Sequence, residues 1–185
     1  MSPPRPPTVI SGGLLRMFGV GVLIIGDSGV GKSESALELV SRGHQFVSDD
    51  VVEVRRTRRG RIIGRAPALG RFFMEIRGLG IINIRAIFGR GSTLAASSID
   101  LVIRLKKWTR KKEYDRLGLR FPEDKDILGA RIPQLNLPVA PGRNIATLIE
   151  VACQVEHLRR RGYQAAEEIV RRLDRALEAN RRRAL

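Results

Sequence analysis

The chain predicts an α/β fold with mixed β-sheets around a glycine-rich loop and two helices at its C-terminus. Three observations predict it. Gly19 to Ile25 is a short apolar run, rich in β-branched residues and ending at Gly26, which reads as a buried strand. A glycine-punctuated loop follows at once, then Lys32 to Arg42 with Ala36, Leu37 and Val40 on one helical face and Gly43 as its stop signal. From Asn144 onward, Ile145, Leu148, Ile149, Ala152 and Val155 recur at helical spacing, and after Gly162 so do Ala165, Ile169, Leu173 and Leu177.

The remaining elements follow in order. Ser2-Pro3-Pro4-Arg5-Pro6-Pro7 lacks most backbone donors and predicts a disordered lead-in over residues 1–7, leaving 8–185 as one domain. Val51 to Val54 alternates, reaches the basic tip Arg55 to Arg61 and returns through Ile62-Ile63, the pattern of a hairpin. Gly80 to Ile87 and Leu101 to Leu105 read as further strands. Pro67 to Gly70, Gly89 to Ser98 and the proline- and glycine-bearing stretch Leu117 to Pro141 read as loops.

Composition narrows the function classes. With 185 residues, 43% apolar and 29% charged, the chain suits a folded domain and excludes wholesale disorder. The formal net charge is +15, and 28 of the 34 basic residues are arginine, so anions able to accept a planar, bidentate fork are the expected partners. Cys153 stands alone and only His44 and His157 accompany it, which excludes a disulfide framework and a zinc cluster and fits a cytoplasmic location. No apolar run approaches the ~18 residues of a membrane span, so neither a membrane partner nor a signal peptide is expected.

Net charge does not separate nucleotide from nucleic acid; a motif does. Gly26-Asp27-Ser28-Gly29-Val30-Gly31-Lys32-Ser33 matches G-x-x-x-x-G-K-[ST] between a strand and a helix. Its glycines let successive N–H groups face phosphate oxygens, Lys32 reaches the terminal phosphates and Ser33 is placed to ligate magnesium, so ATP and Mg2+ are the expected cofactors. Phosphoryl transfer also needs acids, one beside the metal and one to receive the acceptor's proton, and Asp49 and Asp50 are the first candidates. Neighbours on an extended chain point to opposite sides, so at most one of them faces the phosphates. Glu75 stands in an apolar stretch where an unpaired charge is costly; its cation is either magnesium or Arg77.

These pieces together resemble the catalytic domain of the HPr kinase/phosphorylase family. The stretches that carry the resemblance are GVGVLIIGDSGVGKSE (19–34), RGHQFVSDD (42–50), EIRGLGIINI (75–84), EYDRLG (113–118) and LPVAPGRN (137–144). The resemblance implies a phosphoenolpyruvate-carboxykinase-like core around the phosphate loop. It implies an ATP-dependent kinase acting on a serine of HPr, with a reverse phosphorylase reaction that consumes phosphate and releases pyrophosphate. Carried over by residue, Asp50 is the proton acceptor, Lys32 the loop lysine, Arg116 a further catalytic residue, and Ser33 with Glu75 the magnesium ligands. It further implies a homo-oligomer, commonly a hexamer.

Two departures stand out. Family sequences place a histidine where this chain has Ser11, and serine neither titrates near neutrality nor carries positive charge, which weakens the phosphorylase expectation. The match also begins close to residue 1, so the expectation is a short form without the family's N-terminal domain. The residues alone leave open a kinase for another protein or small-molecule hydroxyl, and a nucleotide-gated binding module. Nucleic acid is not expected as the main partner, because a lone Trp108 among lysines reads as an edge anchor and the basic runs as solvated faces. Arg159, Arg160 and Arg171 are expected to be exposed contacts for an acidic partner or sister subunit.

Overall fold

The computed structural model describes residues 8–108 and 123–183. Its elements are β1 (Thr8–Ser11), β2 (Gly13–Met17), β3 (Val20–Gly26), α1 (Lys32–Ser41), β4 (Gln45–Ser48), β5 (Val51–Arg56), β6 (Ile62–Arg65), β7 (Phe73–Ile76), β8 (Gly80–Asn83), α2 (Ile84–Phe88), β9 (Ser97–Ser98), β10 (Leu101–Lys107), β11 (Glu123–Ile127), β12 (Ala130–Val139), α3 (Ile145–Arg160) and α4 (Ala165–Arg183).

A six-stranded mixed sheet, ordered β11-β12-β10-β3-β2-β4, forms the middle layer. Here β12, β10 and β3 run parallel, whereas β2 pairs antiparallel with both β3 and β4. Side chains of β3 alternate between its two faces. Val22 and Ile24 join Leu39, Phe46, Ile149 and Cys153 under α1 and α3. Leu23 and Ile25 join Val52, Val54 and Ile62 beneath the antiparallel sheet β1-β5-β6-β9. A strand buried on both sides has no polar face, which is why Gly19 to Ile25 reads as an unbroken apolar run.

Several expectations hold: the central strand, α1, the basic-tipped hairpin β5–β6, strand β10 and both C-terminal helices. Others are corrected. The loop expected over Leu117 to Pro141 contains β11 and β12, and the prolines that pointed to a loop sit where one ladder is missing. Pro133 pairs only with β11 and Pro138 only with β10, so neither has to donate a hydrogen bond on both sides. The strand expected from Gly80 to Ile87 stops at Asn83, whose Oδ1 accepts from Ala86 N at 3.0 Å and starts α2. Gly89 to Ser98 carries a short 3-10 turn and the two-residue β9. Strands β1, β2 and β7 are additions to the sequence reading.

Position corrects three surface expectations. Trp108 is half exposed rather than an anchor to the core. Arg160 is tied to Glu156 and Asp100, and Arg159 to Glu156, so these two are not free docking cations. Val155 is 43% exposed and faces away from the core, which α3 meets with Ala146, Ile149, Ala152 and Cys153. In α4, the side bearing Ile169, Leu173 and Leu177 is uncovered among the described residues. No helix among them is long and apolar enough to cross a membrane.

The far end of α1 is fastened to α3. Arg42 Nη1 lies 2.7 Å from Glu150 Oε2, Arg42 Nη2 donates to Thr147 Oγ1 at 2.9 Å, and His44 Nε2 is 2.7 Å from Glu150 Oε1. The hydrogen bond from His44, then Arg42, holds the Glu150 carboxyl below its ordinary range against the opposing effect of burial. Cys153 is fully buried and donates to Met17 O at 3.4 Å, and burial pushes its thiol up to about 12. We predict that an alkylating reagent at pH 8 labels Cys153 only as fast as the protein unfolds; prompt labelling of native protein would contradict this packing.

Candidate active site

The site begins where β3 runs out of sheet. Gly26 pairs with Leu105, and a Cβ at Gly26 would sit 2.6 Å from the Leu105 carbonyl oxygen, so only glycine lets the chain turn there. The loop then folds on itself, Val30 N donating to Asp27 O, and Gly31 enters α1 at φ 96° with no side chain capping the helix. The first-turn N–H groups therefore face the cleft, together with the positive end of the helix dipole. Lys32 Nζ folds back to donate to Gly26 O and Asp27 O, at 3.0 Å each.

The acids stand across this loop. Asp49 and Asp50 follow β4 at a bend, with Val51 N donating to Asp49 O at 2.7 Å and Asp50 at φ 60°. Asp50 O accepts from Gly12 N at 2.9 Å, which ties the bend to the corner between β1 and β2. The pair sits at a bend and not on an extended strand, and the two carboxylates take different places. Asp50 lines a cleft shared with Lys32, Ser33, Glu75 and Arg77, while Asp49 accepts from Ser33 Oγ at 3.2 Å. The other Asp49 oxygen, Oδ2, is buried without a partner. Burial, and next the Asp50 carboxylate, push Asp49 up to about 6.

Glu75 departs from the reading that placed its charge in an apolar environment. On β7, Met74 and Ile76 turn inward while Glu75 is exposed toward the cleft, so no buried cation is needed. No ion pair joins it to Arg77 among the described residues. Arg77, in the turn after β7, lies against the phosphate loop instead. Ser11 pairs with Val51, next to Asp50, so the position where the family places histidine borders the site. Arg116 and the segment 113–118 lie outside the described residues.

As a metal site, the cleft offers few protein donors. Among the described residues no three His, Cys, Asp or Glu side chains converge on one point. A magnesium ion carried by a nucleotide keeps most of its oxygen ligands from phosphates and water and needs only one or two from protein. The Ser33 hydroxyl and the Glu75 carboxylate, which line the same cleft, fit that requirement.

Two predictions follow from this geometry. Gly26→Ala forces a methyl group onto the Leu105 carbonyl and destabilises the fold by about 1–3 kcal/mol, measured by denaturant unfolding; an unchanged midpoint would refute the contact. Asp49 holds its proton more firmly folded than unfolded. Its contribution to stability is therefore greatest below pH 3.8 and is lost as pH rises through about 6. Asp49→Asn flattens the stability profile across that window, whereas a profile parallel to the parent's would show that Asp49 does not titrate there.

Known proteins resemble this chain in sequence and in fold. The family model described as HPr Serine kinase C-terminal domain matches residues 5–173. The chain is 51% identical over 177 residues to HPr kinase/phosphorylase of Geobacillus thermodenitrificans, covering 96% of this chain and 57% of that protein. Against the enzyme of the same name from Caldanaerobacter subterraneus subsp. tengcongensis it is 47% identical over 170 residues, covering 91% and 55%. The solved structure of the Hpr(Ser) kinase/phosphatase from Coxiella burnetii superposes with a TM-score of 0.79 at 31% identity, covering 88% of this chain and 98% of that one. The chain thus spans little more than half the length of the curated relatives it matches. Matched along most of its own length in sequence and in fold, it belongs to the HPr serine kinase C-terminal domain family.

Proposed function

We propose that the chain is an ATP-dependent serine kinase acting on the phosphocarrier HPr, with a reverse phosphorylase activity. One observation carries this reading: Asp50 opens onto the cleft that contains Lys32, while its neighbour Asp49 holds the Ser33 hydroxyl at the start of α1. The relatives' names supply the acceptor, since those at about half identity are called HPr kinase/phosphorylase.

In this reading, residues 26–33 enclose the nucleotide's phosphates through backbone N–H groups. Lys32 leaves the Gly26 and Asp27 carbonyls to meet the terminal phosphates. The acceptor serine approaches from the Asp50 side, and the Asp50 carboxylate takes the hydroxyl proton as transfer proceeds. Ser33 and Glu75 would hold magnesium, which when bound neutralises phosphate charge. Arg116 is assigned a catalytic role by family resemblance. In reverse, inorganic phosphate accepts the phosphoryl group and Asp50 returns the proton; Ser11 beside Asp50 offers no imidazole to assist. We place the activity in the cytoplasm, where ATP is plentiful, and in a hexamer, a reading that the uncovered apolar side of α4 supports.

The test is transfer of labelled phosphate from ATP to a serine of purified HPr. The parent should label HPr, Lys32→Ala should slow transfer by at least about 10²-fold, and Asp50→Asn by about 10²–10⁴-fold. Full activity in Asp50→Asn would remove its role as proton acceptor. ATP binding with HPr left unlabelled would point to another hydroxyl or to a binding module.

A further inference from the structure

The tip of the β5–β6 hairpin carries more charge than the fold needs and more order than a solvated run requires. Residues 55–61 read Arg-Arg-Thr-Arg-Arg-Gly-Arg, five arginines with no acid among them. Three hydrogen bonds close the turn: Thr57 N donates to Arg61 O at 2.8 Å, Gly60 N to Thr57 O at 2.9 Å and Arg61 N to Thr57 Oγ1 at 3.0 Å. Gly60 takes φ 79°, which leaves Arg58 and Arg59 in the two central positions of the turn. Arg56 reaches sideways and donates to Leu128 O at 3.2 Å in the turn between β11 and β12, so the ribbon is braced from one side. At the base of the hairpin Glu53 is taken by Arg65. Arg55, Arg58, Arg59 and Arg61 are exposed, and none of them engages a carboxylate among the described residues. Like charges held this close repel one another, and only an anion from outside the hairpin relieves them.

We propose that this tip is a second binding surface, apart from the cleft, which docks on the phosphate backbone of double-stranded DNA without reading its sequence. The chemistry of the tip selects that partner. Arginine's planar fork meets phosphate oxygens bidentately, and residues 55–61 hold no lysine. A two-stranded β-ribbon is narrow enough to enter the major groove of DNA, with phosphates on both sides of it, whereas the deep, narrow groove of duplex RNA shuts side chains out. Single strands are gripped by stacking on aromatic rings, and the tip has none. Protein interfaces bury an apolar or aromatic centre, which the tip also lacks. A flat anionic bilayer would find no apolar side chain in residues 55–61 to insert, and it would also meet the adjoining turn, where the Asp126 carboxylate accepts from Gly129 N. The inference does not depend on the kinase reading. Strand β5 starts next to Asp50 and carries the tip roughly 20 Å away from it, at the rise of an extended chain.

The test is fluorescence anisotropy of the full chain with a mixed-sequence DNA duplex of about 20 base pairs, titrated between about 50 and 200 mM salt. The parent should bind with a Kd of about 10⁻⁶–10⁻⁴ M that weakens steeply as salt rises. Arg58→Gln combined with Arg59→Gln should melt with the parent, raise that Kd at least tenfold at the low-salt end and lower the slope of log affinity against log salt by about 2. Arg55→Gln combined with Arg61→Gln, one step down each strand, repeats the measurement without touching the centre of the turn. Arg171→Gln combined with Arg175→Gln removes the same charge from α4 and should leave the Kd within threefold. Polyglutamate and vesicles of phosphatidylglycerol are titrated beside the duplex, and the parent should prefer the duplex to both. Absence of binding by the parent, equal weakening by tip and α4 variants, or tighter tip-dependent binding to polyglutamate or to vesicles overturns the proposal.

Discussion

The parallel pairing of β3 with β10 sets the position of everything chemical in this molecule. β3 is buried on its two faces and β10 on both over Leu101, Val102 and Ile103, so their register is fixed by apolar packing in the layer above and the layer below. That register brings Gly26 against the Leu105 carbonyl and ends the strand at one point. The loop that follows is short and has to enter α1 within five residues, which aims the first turn of the helix into the cleft. A slip of one residue would turn Val22 and Ile24 toward the wrong sheet and move Lys32 away from the acids.

The electrostatics of the cleft are arranged around an anion. Lys32 is satisfied by two carbonyls of its own loop, a pairing that an incoming phosphate can replace without leaving either partner in an apolar setting. Asp49 is satisfied on one oxygen only, and its burial beside Asp50 disfavours two full negative charges at the bend. Cations and carboxylates brought together in one cleft create a steep local field within a chain of high positive charge. Long-range attraction by the arginines and short-range selection by this field act on the same class of ligand.

What was legible in the sequence was what local chemistry dictates. Residues 26–33 could be placed because glycine, lysine and serine at that spacing between strand and helix have a single structural context, and Asn144 marks the start of α3 by capping it. Less legible were features set by distant partners. The prolines of β12 signal a loop until both neighbours of the strand are known. Glu75 looked buried because Met74 and Ile76 flank it, yet alternation on a short hairpin turns it outward. The division of labour between Asp49 and Asp50 depends on a left-handed residue at the bend, which the pair of letters does not reveal.

The fastening of α1 to α3 has a mechanical consequence. Arg42, His44 and Glu150 anchor one end of a ten-residue helix whose other end carries the phosphate loop. Such a helix is a lever about 15 Å long, so a 1 Å displacement at Lys32 corresponds to a tilt of about 4° about the anchored end. The Arg42–Glu150 contact lies at the anchored end of that lever.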